Sequence, residues 1–463
     1  MKRNIFLTIT IATTALLLGA CSSIDIDRTL AETDQALPAP TRGSLQLART
    51  VEQREQRKRS AEQLLAQPLA MNDAVLLALA NSPQLQALLA ERWADLADAN
   101  QSGRLANPLF TFERMRSGSE LELGRLLSVG LLDLLTLPRK QSIARAREDA
   151  ARAQLAATVV EQVALGRQAW VQAVAAQQLA VYAGQVQLSA DASAELARRM
   201  QQAGNFSRLQ RARQQVFYAG ATAQLAGARQ TALAAREELV RRLGLDDAQA
   251  ARMQLPERLP DLPAVPHQTP ALNAAAMQQR LDWQIARAQL DAAGRSQGLG
   301  ALDTWLDAGI GVRHDTTFDN ATGQRSNRNG FELDMRLPLF DWGDAKRAAL
   351  DARTLAAANR YDAVTRAASS QLRERYAAYR TSYDVAKHYR DEIVPLRQVM
   401  ADENVLRYNG MLIGVFELLA ETREQIASVM ASINALQQFW LADAALGSAV
   451  TGQPMTMTMG DAR

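Results

Sequence analysis

One cysteine, Cys21, is present in 463 residues, so no intrachain disulfide can form. The three histidines, His267, His314 and His388, are scattered and make no metal-ligand spacing. Neither a phosphate loop nor a nucleophile elbow occurs. An enzyme is therefore not expected, and neither is a bound cofactor or metal. Setting aside Lys2 and Arg3 leaves 50 basic against 49 acidic side chains. With no basic run interleaved with aromatics, nucleic acid is not an expected partner. Aromatic residues make up only 5% of the chain, while Ala, Gln and Arg fill long stretches. That balance favours extended helices with narrow, alanine-lined contacts over one thick core.

The first 20 residues read as a targeting segment. MKRN is the basic end, IFLTITIATTALLL the apolar stretch, and Leu18-Gly19-Ala20-Cys21 the cleavage region. The apolar stretch is short for a permanent membrane helix. Leu-Gly-Ala-Cys resembles the lipobox of bacterial lipoproteins, in which the cysteine becomes the lipidated first residue; the alternative is an incidental cysteine beside an ordinary cleavage site. Several acyl chains anchor a protein stably where one does not. In such lipoproteins Ser22 after the cysteine fits sorting to the outer membrane. A covalent lipid on Cys21 is the only attached group expected.

After residues 21–68, an N-terminal periplasmic segment, the chain reads as two similar halves, 69–254 and 271–452. The proline-rich joint 255–270, LPERLPDLPAVPHQTP, excludes a continuous helix between them. A short tail, 453–463, follows. Each half opens with a shorter helix, MNDAVLLALANSPQLQALLAERWADLADANQS and LNAAAMQQRLDWQIARAQLDAAGRSQG. Strand-like stretches come next, at about 108–132 and about 304–340. Phe331, Leu333, Met335, Leu337 and Leu339 alternate with Glu332, Asp334, Arg336 and Pro338. Leu121, Leu123, Leu127, Val129 and Leu131 share one face, with Arg125 as an exception. Leu306, Ala308, Ile310 and Val312 alternate with Asp307, Gly309, Gly311 and Arg313. Period two with one apolar face marks a strand between two environments, either a soluble layer or a barrel wall with lipid on one side. RSGS at 116–119 and DTTFDNATGQRSNR at 315–328 read as connecting loops. Four strands cannot close a barrel, since about eight is the smallest that works, and an open edge in lipid leaves backbone groups unpaired. If these strands cross a membrane, several copies must pool them.

A helical run of about 65 residues from Arg139 to Ala203 spans roughly 100 Å. Ile143, Ala146, Ala150, Ala153, Ala157, Val160 and Ala164 follow the spacing of a coiled-coil seam, and Ala345, Ala349, Ala352 and Ala356 begin another. Thr136 can cap the first run with Pro138 just inside; Asp341 or Gly343-Asp344 can start the second. Both runs are interrupted by glycine, in AGNFS (203–207) and in RYNGMLIG (407–414). Gly204 and Gly410 read as the tight turns of two helical hairpins, with return helices ending near Gly244 and Gly447.

This order resembles the outer membrane factor (TolC-like) family, and more narrowly its lipid-anchored members paired with resistance-nodulation-division (RND) pumps. The residues carrying the likeness are Asn107-Pro108, LPLFDWGDAKRAAL (337–350), the two tips, about 203–208 and 409–414, and FWLADAALGSAVTG (439–452). The resemblance covers nearly all of the mature chain. It implies a mainly α fold with a small membrane β-hairpin region and internal duplication, assembled as a homotrimeric channel-tunnel. In that assembly three chains share a twelve-stranded barrel in outer-membrane lipid above a periplasmic coiled-coil barrel. The implied function is a passive, gated exit duct for drugs or heavy-metal ions, with a periplasmic adaptor (membrane fusion) protein and an RND-type inner-membrane pump as partners. Alternatives are a type I protein secretion duct, which in this family commonly lacks a lipobox, and a structural coiled-coil lipoprotein.

By the same resemblance, Tyr408 matches a gate tyrosine, Glu417 falls near a family aspartate, and Glu421 lies one turn on. Arg208 stands in the corresponding region of the other tip, where no acid occurs. These four are the candidate pore constriction, against the alternative of ordinary solvated helix positions. Exposed apolar residues at a turn suggest a partner, so Gly204, Asn205, Phe206, Ser207, Gly410, Met411, Leu412 and Ile413 are the candidate adaptor-docking tips; the alternative is packing within the assembly. Met455, Met457 and Met459 in MTMTM have the thioethers that Cu(I) prefers, but alternation in a short tail is an ordinary pattern and no metal is assigned there.

Overall fold

The computed structural model describes residues 25–36, 45–268, 274–300, 307–336, 340 and 342–452. The signal segment 1–20, Cys21, the end of the proline-rich joint, residues 304–306, Leu337 to Leu339 and the methionine tail lie outside the described residues. The chain divides into two compact units. One comprises Met1–Glu32, Glu91–Arg152 and Ile285–Tyr361; the other comprises Thr33–Ala90, Ala153–Gln284 and Asp362–Arg463. Each half of the sequence contributes to both.

The described helices begin with α1 (Ile26–Ala36) and α2 (Val51–Leu64). The first of the expected short helices is two: α3 (Met71–Asn81) and α4 (Pro83–Gln101), broken at Ser82. Pro83 explains the break, because a proline restricts the residue before it to extended backbone, and Ser82 has ψ 117°. Then come β1 (Leu109–Ser117), β2 (Glu120–Gly130), α5 (Leu131–Gln202), α6 (Arg208–Leu243) and α7 (Asp247–Arg252). The second half repeats the order with α8 (Ala274–Gln279), α9 (Leu281–Gly300), β3 (Asp307–Asp319), β4 (Gln324–Arg336), α10 (Asp344–His388), a π turn at Tyr389–Ile393, α11 (Val394–Asn409) and α12 (Val415–Thr451).

Several boundaries differ from the sequence reading. The first long helix starts at Leu131, directly out of β2, so Thr136 does not cap it. Thr136 Oγ1 instead donates back to Leu132 O at 2.7 Å, and Pro138 falls inside the helix. At 72 residues α5 is about 108 Å long. The second run is interrupted before its tip by the π turn, which Pro395 explains: a proline has no N–H to give and its ring crowds the carbonyl four residues back. Its return helix passes through Gly447 and closes at Gly452. The polar stretch 315–328 is mostly strand, with only 320–323 turning; alternation of Thr, Asp, Asn and Arg there hides a two-residue period behind polar side chains on both faces.

The first alanine seam is buried at Ile143, Ala146, Ala150, Ala153, Ala157 and Ala164, with Val159 rather than Val160 turned inward. The second is not covered by the described residues, since Ala345, Ala349 and Ala352 are exposed. The core of the second unit gathers Leu69, Leu77, Trp170, Val174, Leu239 and Leu243, and the Trp170 indole donates to Leu69 O at 2.8 Å. The proline-rich joint is strapped to an aromatic cluster of Tyr379, Tyr383, Phe439 and Trp440. Tyr383 Oη donates to Pro263 O at 3.1 Å, Trp440 Nε1 to Pro260 O at 2.9 Å, and His267 N to Tyr379 Oη at 2.9 Å.

Both return helices end in the same way. Gly244 and Gly452 take left-handed backbone, φ 65° and 78°. Gly244 lies against the break between α3 and α4, where an added Cβ would stand 2.3 Å from Pro83 Cδ. Gly452 lies against the break between α8 and α9, where a Cβ would stand 2.6 Å from Asp282 Oδ1. Only glycine meets both demands. Asp282 is itself held by the buried Arg280, at 2.8 Å.

Candidate functional site

The four strands form one antiparallel meander in chain order, β1-β2-β3-β4, within the first unit. The register stacks their side chains in rows across the sheet. On one face, Ala308 pairs with Met335, then Val129 with Ile310 and Leu333, then Phe110 with Leu127, Val312 and Phe331. Phe331 is 84% exposed and Val312 69%, so the described residues leave this apolar face uncovered around them. Three further rows follow toward the hairpin turns: Phe112, Arg125, His314 and Asn329; then Arg114, Leu123, Thr316 and Asn327; then Arg116, Leu121, Phe318 and Arg325.

The opposite face is polar in its middle, with Leu109, Met115 and Leu126 as exceptions. Arg313 organises it. Its Nη2 donates to Glu113 Oε2 at 2.9 Å, its Nε to Asp315 Oδ1 at 3.0 Å, and its Nη1 to Glu332 Oε2 at 3.4 Å. One guanidinium thus ties three strands together. Gly124 lies beneath it, where a Cβ would stand 3.3 Å from Arg313 Nη2. The outer strands β1 and β4 each leave one edge unpaired among the described residues. No helix among them is long and apolar enough to cross a membrane.

The helical tips belong to the second unit. At the first, Asn205 N donates to Met200 O at 2.9 Å and Gly204 N to Gln201 O at 3.0 Å, which closes the helix around Gly204 at φ 79°. Ser207 then caps α6: its Oγ accepts from Gln210 N at 3.2 Å, and Gln210 Oε1 accepts from Ser207 N at 2.7 Å. At the second tip Leu412 N donates to Arg407 O at 2.8 Å and Met411 N to Tyr408 O at 2.9 Å. The closure is the same, but the left-handed residue is Met411, φ 57°, while Gly410 keeps φ −77°. The expected turn glycine therefore sits one residue early.

Of the apolar tip residues, Met411 is 94% exposed and Leu412 74%, whereas Phe206 and Ile413 turn inward at 9% and 8%. That corrects the expectation of exposed side chains at Phe206 and Ile413. Tyr408, Glu417 and Arg208 are exposed, with no side-chain hydrogen bond or ion pair among the described residues. Glu417 is in the first turn of α12, where an acid is favoured by the helix dipole. Glu421 faces its own hairpin: Arg397 Nη1 approaches it at 3.7 Å, and Arg397 Nη2 reaches Glu424 at 3.3 Å.

The two hairpins are joined instead by a residue the sequence did not single out. Arg423 lies over the Phe217 ring at 4.1 Å and donates through Nη2 to Gln214 Oε1 at 2.9 Å. Gln214 is buried. Burial pushes the Arg423 guanidinium below its ordinary pKa, and its buried Nε has no partner among the described residues. An arginine after Glu421 in a polar helix reads as a solvated side chain; only its contact with α6 reveals otherwise. Behind this contact Val186, Ala190 and Ala221 pack with Ile426.

No family model matches the chain, and no curated protein matches it. Solved structures do. The fold is that of outer-membrane channels. The outer-membrane channel OprN superposes with a TM-score of 0.68 at 18% identity, over 90% of this chain and 97% of that one. The open state of the MtrE outer membrane channel of Neisseria gonorrhoeae gives 0.65 at 18% identity, over 83% and 89%. CusC, whose structures concern folding and transmembrane channel formation, gives 0.65 at 16% identity, over 82% and 92%.

Proposed function

We propose that this protein is the outer-membrane exit duct of a tripartite efflux complex, a passive gated channel and not an enzyme. The observation that carries the proposal is the sheet: four strands with an uncovered apolar face, a polar face organised by Arg313, and two open edges. Such a sheet in lipid needs its edges closed, and the four strands among the described residues are half of what the smallest barrel needs. Three copies supply twelve. The exposed alanine series beginning at Ala345 is then a seam for a neighbouring copy. Shared element order, with matching glycine closures at Gly244 and Gly452, supports reading the two halves as a duplicated plan.

The long helices form the periplasmic tunnel in this reading, and the lipid on Cys21 anchors the chain to the outer membrane. A periplasmic adaptor docks on the tips, chiefly at Met411 and Leu412 with Gly204, Asn205 and Ser207 beside them. An RND-type pump in the inner membrane supplies the energy and selects small solutes, drugs or metal ions. Arg423 with Gln214 and Phe217 holds the two hairpins together, while Tyr408, Glu417 and Arg208 stand free to constrict the pore. The test is conductance. Purified protein added to a planar bilayer should give discrete channel currents, and cells lacking it should lose resistance that the gene restores. A protein that binds membranes yet never conducts would leave the structural-lipoprotein reading in its place.

A further inference from the structure

We infer that the three rows of the apolar face nearest the hairpin turns form a cationic band that binds phosphorylated headgroups of anionic lipid. This rests on the reading of the sheet as membrane-spanning. The face positions sort by row. The first three rows contain no charge at all, whereas the next three hold Arg125, then Arg114, then Arg116 and Arg325, with His314 beside Arg125. No Asp or Glu occupies any position of this face; the strand acids Glu113, Glu120, Glu122, Asp307, Asp315, Asp319, Glu332 and Asp334 all fall on the other.

Arginine at the centre of the polar face is paired, while Arg328 near the turn on that face has no ion-pair partner among the described residues. Arg313 on the polar face is bonded to three carboxylates. Among the described residues, Arg114, Arg116 and Arg125 on the apolar face have no ion-pair partner, and Arg325 rests 5.4 Å over the Phe318 ring. Phe112, Leu121, Leu123 and Phe318 interleave with these cations, the mixture that suits a boundary between hydrocarbon and headgroups. Rows lie two residues apart, about 6.6 Å, so the band follows directly on the uncharged rows. Three of the four arginines stand on the edge strands β1 and β4, so closing the cylinder gathers them at its seams, where like charges repel unless an anion lies between. Arginine matches phosphate with paired donors, and lipid phosphate is the anion available at that depth.

The test uses the full-length, lipidated protein in neutral detergent, with diphosphorylated lipid A as the probe and its dephosphorylated form, phosphatidylcholine and inorganic pyrophosphate as comparisons. Retained lipid is counted by native mass spectrometry. The parent should keep diphosphorylated lipid A preferentially. The R114Q/R116Q/R125Q/R325Q variant should keep about tenfold less, given the attraction of each basic residue to an anionic surface, and the matching lysine variant should keep most of it. Equal retention by parent and glutamine variant overturns the inference, as does full displacement by pyrophosphate, which would mark a plain anion site. Conductance of both proteins in phosphatidylcholine bilayers reports the channel reading separately. Conduction with equal retention defeats the lipid band alone; failure to enter any bilayer defeats both.

Discussion

Replacing Arg423 with Met keeps most of the side-chain volume and removes the charge that joins α12 to α6. Three contributions are lost. A desolvated cation over an aromatic ring is worth about 1 to 2 kcal/mol, and the centroid distance here is 4.1 Å. The hydrogen bond from a charged donor to Gln214 contributes about 1.5 kcal/mol or more. Truncation also leaves the carbonyl of a buried Gln214 unpaired. Against these stands the relief of burying a guanidinium whose Nε has no partner. A net loss of about 2 kcal/mol is expected. If the contact exists only while the tips are closed, the open population rises roughly thirtyfold, since 1.4 kcal/mol is a factor of ten. Single-channel recording of Arg423→Met in planar bilayers measures this directly. Phe217→Leu should open the channel less, and the double variant should fall short of the sum by about 1 kcal/mol. Open probability equal to the parent's, or strictly additive singles, would refute the role given to Arg423.

Other consequences follow from the same geometry. Gly244→Ala and Gly452→Ala should each lower stability by about 2 to 4 kcal/mol, from left-handed strain plus overpacking, measured by chemical unfolding; Gly410→Ala, whose φ is ordinary, should change it by less than about 1 kcal/mol. Met411→Gly should raise stability by up to about 1 kcal/mol by relieving the left-handed methionine, while weakening adaptor capture if Met411 is the docking side chain. Asp443 is raised above the ordinary aspartate value by burial, with His267, 3.2 Å away, and Arg167 opposing the shift. A raised carboxyl pKa favours the folded chain while protonated, and that contribution is lost as the pH climbs through the folded value. Asp443→Asn should therefore melt above the parent near neutral pH, with the gap closing as pH falls below the ordinary aspartate range; a gap that widens toward acid would reverse this assignment.

The order of elements was legible because each carries a strong periodic signal: alternation in β2, β3 and β4, and alanine spacing in α5. Glycine and proline marked the turns and the joint. Features that depend on a partner segment were not legible. Glu421 reads as solvated or pore-lining until Arg397 is placed beside it, and Arg423 reads as a surface charge until Phe217 lies under it. Phe206 reads as an exposed tip residue, yet the turn folds it inward. Polar alternation hid the outer ends of β3 and β4, because apolar periodicity is the signal and those ends have little of it. The break at Ser82 was written in Pro83, and the π turn in Pro395, each inside an otherwise continuous helical pattern.

The central claim is that one chain has too few strands to enclose a pore. Counting chains in the conducting particle tests it most directly, by native mass measurement of the detergent-solubilised protein that gives channel currents. Three chains per particle are predicted. Currents carried by particles of a single chain would contradict the account.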